Sequence, residues 1–340
     1  QERLVLFRYN LVSGDANRAT FYEYDESWKL VAKLEASIPG HAVFHDIAIT
    51  RSKYVLHQAP TSFDAVPFGL GLKSAIDCIS FDREKPAAFH LVSRNGGETV
   101  SVETEAAFVL HIANAYDDKE GNVVADVIQM EKLPCGDSAQ AWKDQMIPGE
   151  WKEQFDFERD MPRAQLVRYT ISPGSKTATK EVLNNRFQAF PAVNPYVTSA
   201  RHSFVYTAAG PGPIPAPPQS ILKMDVTSKA VSEFTLEGNQ FCSEPVMVPR
   251  TEATSEDDGY LLTQVYDADK DATSMLILDA KDVTKGPVAR IAMRNPLPPS
   301  IYGTWADGLV PTASDFAKGR LAASFKEKEW NEVGGGLSLL

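Results

Sequence analysis

The sequence predicts an all-β fold built as a propeller. Two observations carry this. Short runs rich in β-branched and aromatic residues recur at roughly 8 to 12-residue spacing, separated by Pro, Gly, Asn and Asp, with almost no helical periodicity. The runs are also too many for a single sandwich, and several read strand, short turn, strand, short turn, strand, as a propeller blade does. No WD or kelch-type signature repeats at a fixed period, so the prediction rests on strand count and not on an internal repeat.

In chain order, RLVLFRYNLV (3–12), TFYEYDES (20–27) and KLVAKLEAS (29–37) open as strand, turn, strand, strand. HAVFHDIAIT (41–50) is predicted as a strand in which His41, Val43, His45, Ile47 and Ile49 share a face by the period of two. SKYVLHQAP continues as strand, and the stretch up to Leu72 reads as loop. AIDCISFD, AAFHLVSR, ETVSVETE, AAFVLHIANAY and NVVADVIQME follow as strands. Residues 134–162 lack a clean period and read as a long loop carrying Trp142 and Trp151, an aromatic region suited to a membrane face, a partner, or the cover of a blade. QLVRYTIS, TATKEVL, HSFVYTAA, ILKMDVTS, AVSEFTL, YLLTQVYDA, SMLILDA and VARIAMR complete the strands. Between them GPGPIPAPP (210–218) is a Pro-rich, stiff loop excursion.

Composition removes several function classes. The 340 residues are 43 % hydrophobic and 23 % charged, a globular composition, and the formal net charge is −11. An acidic chain without a basic stripe does not suit nucleic acid, which demands clustered Lys and Arg. No apolar run reaches the length of a transmembrane span. Cys78, Cys135 and Cys242 lie far apart and form no CxxC pair, so they are expected as free thiols. The chain begins at Gln1, and an N-terminal part preceding it is expected.

Six histidines carry most of the available chemistry: His41, His45, His57, His90, His111 and His202. None falls in HExxH or another compact metal motif. On an apolar strand a histidine is ordinarily a packed residue with one hydrogen bond. In a propeller, however, the inner strands of successive blades converge on an axis, and single ligands scattered through the sequence meet there. His41 is expected at a strand entry, and His57, His90 and His202 as structural residues. Asp117-Asp118 and Glu256-Asp257-Asp258 could bind a cation or do acid–base work, but at strand ends they are expected as solvated turns.

Five stretches together resemble the carotenoid cleavage oxygenases, a family that includes the retinal-pigment-epithelium isomerases. FHDIAIT resembles its histidine-aspartate strand, and FVLHIANAYDD its Phe-x-x-His-x-x-Asn-Ala-Tyr-Glu segment. FPAVNPYVTSARHSFVYT resembles its Glu-Phe-Pro-Arg-x-Asn-Pro segment, SEPVMVPRTEATSEDDGYLLTQVYD its Glu-Pro-x-Phe-Val-Pro-Arg…Glu-Asp-Asp-Gly segment, and IYGTWADG its closing Phe-His-Gly-Thr-Trp. The order is kept from about residue 1 to about 308. The resemblance implies a seven-bladed propeller occupying residues 1–340 as one domain, the C-terminal majority of the family's. It implies non-haem Fe(II) held on the axis by four histidines and oriented by glutamates, and cleavage of a polyene double bond in a carotenoid or apocarotenoid. It gives His45 and His111 as iron ligands and Glu244 as a supporting glutamate. By the same resemblance the protein is expected in a plastid or the cytoplasm, with peripheral association to a membrane or protein complex.

The departures are as specific as the matches. The fourth histidine position is Tyr302, one supporting glutamate position is Ala189, and the usual Arg after Phe-Pro is Ala192. The first family histidine would precede Gln1. A phenol binds ferric iron as phenolate but is a poor neutral ligand for Fe(II). Two readings stay open: an Fe(II)-dependent oxygenase, and a catalytically silent pseudoenzyme that binds a carotenoid or scaffolds a larger, photosynthetic-membrane assembly. Tyr302 and Ala189 are the residues that separate them.

Overall fold

The computed structural model describes residues 3–11, 16–133, 158, 161–306 and 308. The 142–157 aromatic region and Cys135 lie outside the described residues. By internal packing the chain divides into Gln1–Gly303 and Thr304–Leu340, and every described strand belongs to the first unit.

Antiparallel sheets succeed one another along the chain. The first joins β1 (Leu4–Leu11), β2 (Ala16–Tyr24) and β3 (Leu30–Pro39) in that order. The second joins β4 (Ala48–Ile49), β5 (Lys53–Gln58), β8 (Ala87–Ser93) and β9 (Val100–Thr104). Its β5–β8 connection carries a hairpin, β6 (Thr61–Phe63) with β7 (Ile79–Phe81), and the short helix α1 (Ala65–Gly69). The third joins β10 (Phe108–Asp117), β11 (Val123–Met130), β12 (Ala164–Ile171) and β13 (Thr179–Asn184). The fourth joins β14 (Gln188–Ala192), β15 (Phe204–Ala209), β16 (Ser220–Asp225) and β17 (Val231–Thr235). In the fifth, β18 (Gln240–Cys242) and β19 (Val246–Pro249) both pair β20 (Gly259–Asp267), which continues to β21 (Ala272–Asp279) and β22 (Pro287–Ala292).

The core shows why these sheets form a propeller. The buried apolar clusters fill the seams between consecutive sheets, not the middle of a sandwich. Phe21 and Ile38 pack on Tyr54 and Leu56 between the first and second sheets. Val55 and Phe89 pack on Val127 and Tyr169 between the second and third. Ile128 and Leu166 pack on Val205 and Met224 between the third and fourth. Tyr206 and Ile221 pack on Leu261 and Leu276 between the fourth and fifth. Strands between two seams are therefore buried on both faces, and β11 is buried at every position, Asp126 and Gln129 included. β22 is exposed at every position, as an outermost strand is. One tight approach depends on glycine: a Cβ on Gly259 would stand 2.4 Å from the Val248 carbonyl oxygen.

Three elements differ from the sequence expectation. HAVFHDIAIT is strand only at Ala48–Ile49; residues 41–47 approach it as irregular chain. The segment expected as loop before Leu72 contains α1, capped by the Asp64 carboxylate on the Val66 amide. Ile76–Cys78 is a 3₁₀ turn leading into β7, not strand. Residues 210–218 are without strand, as expected, but the excursion is tied down: Phe187 donates to the Gly212 carbonyl and Cys242 to that of Pro218. The acidic clusters are also more than solvated turns. Asp117 accepts from Thr50 and Ser52, Glu256 from the Ser203 and Phe204 amides, and Asp257 pairs with Lys223 at 2.7 Å. Asp258 pairs with Arg250 and Lys281.

Candidate functional site

His45, His111 and Tyr302, separated by as many as 257 residues, come together in space. Ring centroids are 5.4 Å apart for His45–His111, 6.0 Å for His45–Tyr302 and 6.2 Å for His111–Tyr302. The Tyr302 hydroxyl is in hydrogen-bond contact with His45 Nε2.

Each residue is placed by a local irregularity. His111 lies on β10 between two register shifts, one between Val109 and His111 and one between Ile112 and Asn114. Bulges of this kind bend a strand and re-aim its side chains. His45 precedes β4, where the chain is not yet in a sheet. The Asp46 carboxylate takes the Ile47 amide with one oxygen and the Ile112 amide with the other, both at 2.7 Å. The neighbour of His45 is thus bound to the neighbour of His111. Sequence reasoning gives Asp46 no role; its one signal is that an acid directly follows a candidate histidine.

Tyr302 has a left-handed backbone, φ 59°, which costs a non-glycine residue about 1 kcal/mol or more. Glu244 holds it there, accepting from the Tyr302 amide at 2.8 Å and from the Gly303 amide. A Cβ on Gly303 would stand 2.9 Å from Glu244 Oε1, so a side chain there would displace the carboxylate. Glu244 therefore meets the backbone that carries Tyr302, and its described hydrogen bonds go to no histidine ring.

His111 is buried, whereas His45 and Tyr302 are exposed. Burial, and then the neighbouring His45, lowers the His111 pKa to about 4, so its ring is neutral at pH 7. Burial also raises Asp46, against the lowering effect of its two amide donors. Burial, Asp46 and Glu244 together raise the Tyr302 phenol. His111 Nδ1 is buried and has no hydrogen-bond partner. Beside it stands Phe190, itself at φ 53°, with its ring 5.3 Å from that of His111. The residue before Phe190 is Ala189, and its methyl group supplies no acceptor for that nitrogen.

The other histidines do not join this group. His41 stacks on Phe63 and bonds Thr61. His90 lies between Ser101 and Gln58. His57 is buried with neither ring nitrogen partnered. His202 Nε2 lies 2.8 Å from the Asp126 carboxylate and its Nδ1 accepts from Asn114, beside a two-pronged Arg168–Asp126 pair.

Known proteins bear on this geometry. Residues 1–307 match the family profile described as Retinal pigment epithelial membrane protein (RPE65). The chain belongs to this family. Among curated relatives it is 32 % identical over 300 residues to the apocarotenoid-15,15'-oxygenase of Synechocystis, covering 88 % of this chain and 59 % of the relative. It is 27 % identical to carotenoid cleavage dioxygenase 7 of rice, covering 85 % and 52 %. Among solved structures, cobalt-substituted Synechocystis ACO superposes with a TM-score of 0.79 at 32 % identity, covering 87 % of this chain and 60 % of that one. An ACO/RPE65 chimera superposes with the same TM-score, 0.79, at 31 % identity. The chain thus spans about three fifths of the length of the Synechocystis relatives it matches. The fold is that of the family, a β-propeller.

The family uses non-haem iron, and the described residues can be tested against it. They include no cluster of three or more His, Cys, Asp or Glu side chains disposed to hold a metal. Two imidazoles are present, but a phenol takes the third place, already bonded to one of them, and the other lacks a partner for its Nδ1. Metal-ligating histidines almost always give that second nitrogen a carboxylate, carbonyl or water. This donor set does not fit an Fe(II) centre built from four oriented neutral imidazoles.

Proposed function

We propose that the chain is a carotenoid- or apocarotenoid-binding member of the carotenoid cleavage oxygenase family whose iron-dependent cleavage is silent. The observation that carries this reading is the contact between the Tyr302 hydroxyl and His45 Nε2. That contact occupies His45 Nε2, the atom a metal would otherwise use. The family fold supports an apolar polyene as ligand. The exposed side chains of Val66, Leu70 and Leu72, around α1, support peripheral contact with an apolar phase from which such a ligand comes. No helix among the described residues is long and apolar enough to cross a membrane.

A second reading, Fe(II)-dependent cleavage of a polyene, is favoured by one observation: His45 and His111 still converge, 5.4 Å between ring centroids. The two readings part in one experiment. The purified chain is incubated with an apocarotenal, and binding is followed by the shift of the polyene absorption. After anaerobic Fe(II) loading, air is admitted and aldehyde products are sought. Binding without products supports the silent reading. Products that depend on iron and vanish in His111→Ala overturn it. Absence of any polyene binding rejects both.

A further inference from the structure

We propose that a cavity at the end of β10 remote from His111 binds a phosphorylated small molecule, held by Arg51, Lys119 and Arg201 and by the Tyr116 hydroxyl.

The topology builds the cavity. β4, β10 and β14 are the first strands of three successive sheets, and the loop that joins each to its second strand contributes to the wall. Arg51 stands in the β4–β5 turn, Lys119 in the β10–β11 turn, and Ser199 and Arg201 in the β14–β15 loop. Asn114 fixes that last loop, donating to the Val197 and Ala200 carbonyls and accepting from the Ser199 amide. The cavity holds about 500 Å³, within the range of small-molecule sites. β10 rises about 3.3 Å per residue, so Tyr116 lies roughly 15 Å from His111. The cavity is therefore a separate site from the group formed by His45, His111 and Tyr302.

Charge decides the class of ligand. Among the described residues the side chains of Arg51, Lys119 and Arg201 have no acidic partner. Three acids share the wall, but two are already occupied. Asp117 accepts from the Thr50 and Ser52 hydroxyls and the Ser52 amide. Asp118 accepts from the Glu120 and Asn122 amides and from the Asn122 side chain. Glu120 is the remaining acid. Uncommitted donors therefore outnumber uncommitted acceptors, and the guanidinium fork matches phosphate oxygens in pairs.

Tyr116 is a second, independent observation. It is 9 % exposed, its ring meets His202 edge-on at 6.0 Å, and no described residue bonds its hydroxyl. A buried phenol ordinarily finds a partner for its O–H. This side chain lines the cavity, where a phosphate oxygen supplies the acceptor. The Ser199 hydroxyl, on the same wall and also without a described partner, adds a further donor.

The test is isothermal titration calorimetry of the full chain with inorganic pyrophosphate at fixed ionic strength, with acetate as the monoanion for comparison. The expected result is saturable pyrophosphate binding, roughly tenfold or more tighter than acetate, that weakens by roughly tenfold or more in Arg201→Gln and in Arg51→Gln. Tyr116→Phe, which removes one hydrogen bond, should weaken it by roughly fivefold. Lys229→Gln, which alters an exposed cation outside the cavity, should leave it unchanged. Arg51 and Arg201 are exposed, so their variants keep the fold, which far-UV circular dichroism checks. No saturable pyrophosphate binding at millimolar concentration overturns the proposal. So does acetate binding of equal strength, or a loss in Lys229→Gln equal to that in Arg201→Gln. The readout involves neither iron nor a polyene, so it stands or falls apart from the reading of the histidine site.

Discussion

The Asp46 carboxylate accepts a hydrogen bond from the Ile112 amide at 2.7 Å, across 66 residues of chain. It fixes the spacing of His45 and His111 by holding the residue that follows each. Two irregular pieces, a chain not yet in its sheet and a strand bulged on both sides of its histidine, are thereby made into one unit.

Asp46→Ala leaves the Ile112 amide without its acceptor at a half-buried position. A loss of about 1–3 kcal/mol in unfolding free energy is expected. Asp46→Asn keeps an amide oxygen that can accept from Ile112 and should recover a substantial part of it. Urea unfolding of the three proteins checks the order, and equal losses in both variants would contradict the role given to this bond.

The Gly303 backbone and Glu244 share too little room for a side chain. Gly303→Ala is expected to push the carboxylate off the Tyr302 and Gly303 amides and so to release Tyr302 from His45. An NMR experiment that reports the His45 ring nitrogens should show Nε2 move toward the shift of a water-exposed imidazole. An unchanged resonance would mean that Tyr302 is not held by Glu244.

The Asp126 carboxylate is fully buried and receives Arg168 through two bonds of 2.7 Å, with His202 Nε2 at 2.8 Å. Removing one partner of a buried pair leaves an uncompensated charge, at a cost of about 3–5 kcal/mol. Asp126→Ala is expected to fall in that range. Lys229→Ala, which breaks an exposed pair with Glu181, should cost less than about 1 kcal/mol. Comparable losses would show that the Asp126 network carries no special weight.

Two histidines away from the site make the fold sensitive to acid. Burial lowers the pKa of His90 to about 4 and that of His57, with a further contribution from His90, to about 3, against 6.5 for a free imidazole. Between these values the unfolded chain binds protons that the folded chain refuses, so stability rises with pH in this window. It should be full above pH 6.5 and fall as the pH drops toward 4, with the His57 part continuing toward 3. His90→Gln should flatten the upper part of that slope. Unfolding curves at stepped pH would contradict this if stability were level between about pH 7 and 4.

How much of the molecule is legible in the sequence depends on how local each feature is. β10 and β11 are legible, because their apolar runs and bounding turns are local. The propeller is as well, because strand count and turn spacing survive without a repeat. The 41–47 segment misleads: its alternation suggests a strand, but Asp46 spends its carboxylate on Ile47 and on a distant amide and pulls the chain out of register. Helix α1 escapes notice because AVPFG is five residues long with a proline in its first turn, a position helices tolerate. β14, β18 and β19 are too short to stand out. At the site, the resemblance names His45, His111, Glu244 and Tyr302. That Glu244 grips backbone amides, that Tyr302 meets His45, and that His111 Nδ1 is left alone beside Phe190 are matters of three-dimensional approach, which no spacing records.

The silence of the iron site is tested most directly by the iron content of the chain after anaerobic Fe(II) loading and desalting, with Tyr302→His and His111→Ala alongside. The wild type is predicted to retain no iron, since Tyr302 engages His45 and His111 lacks its outer partner. Near-stoichiometric iron in the wild type that disappears in His111→Ala would contradict it.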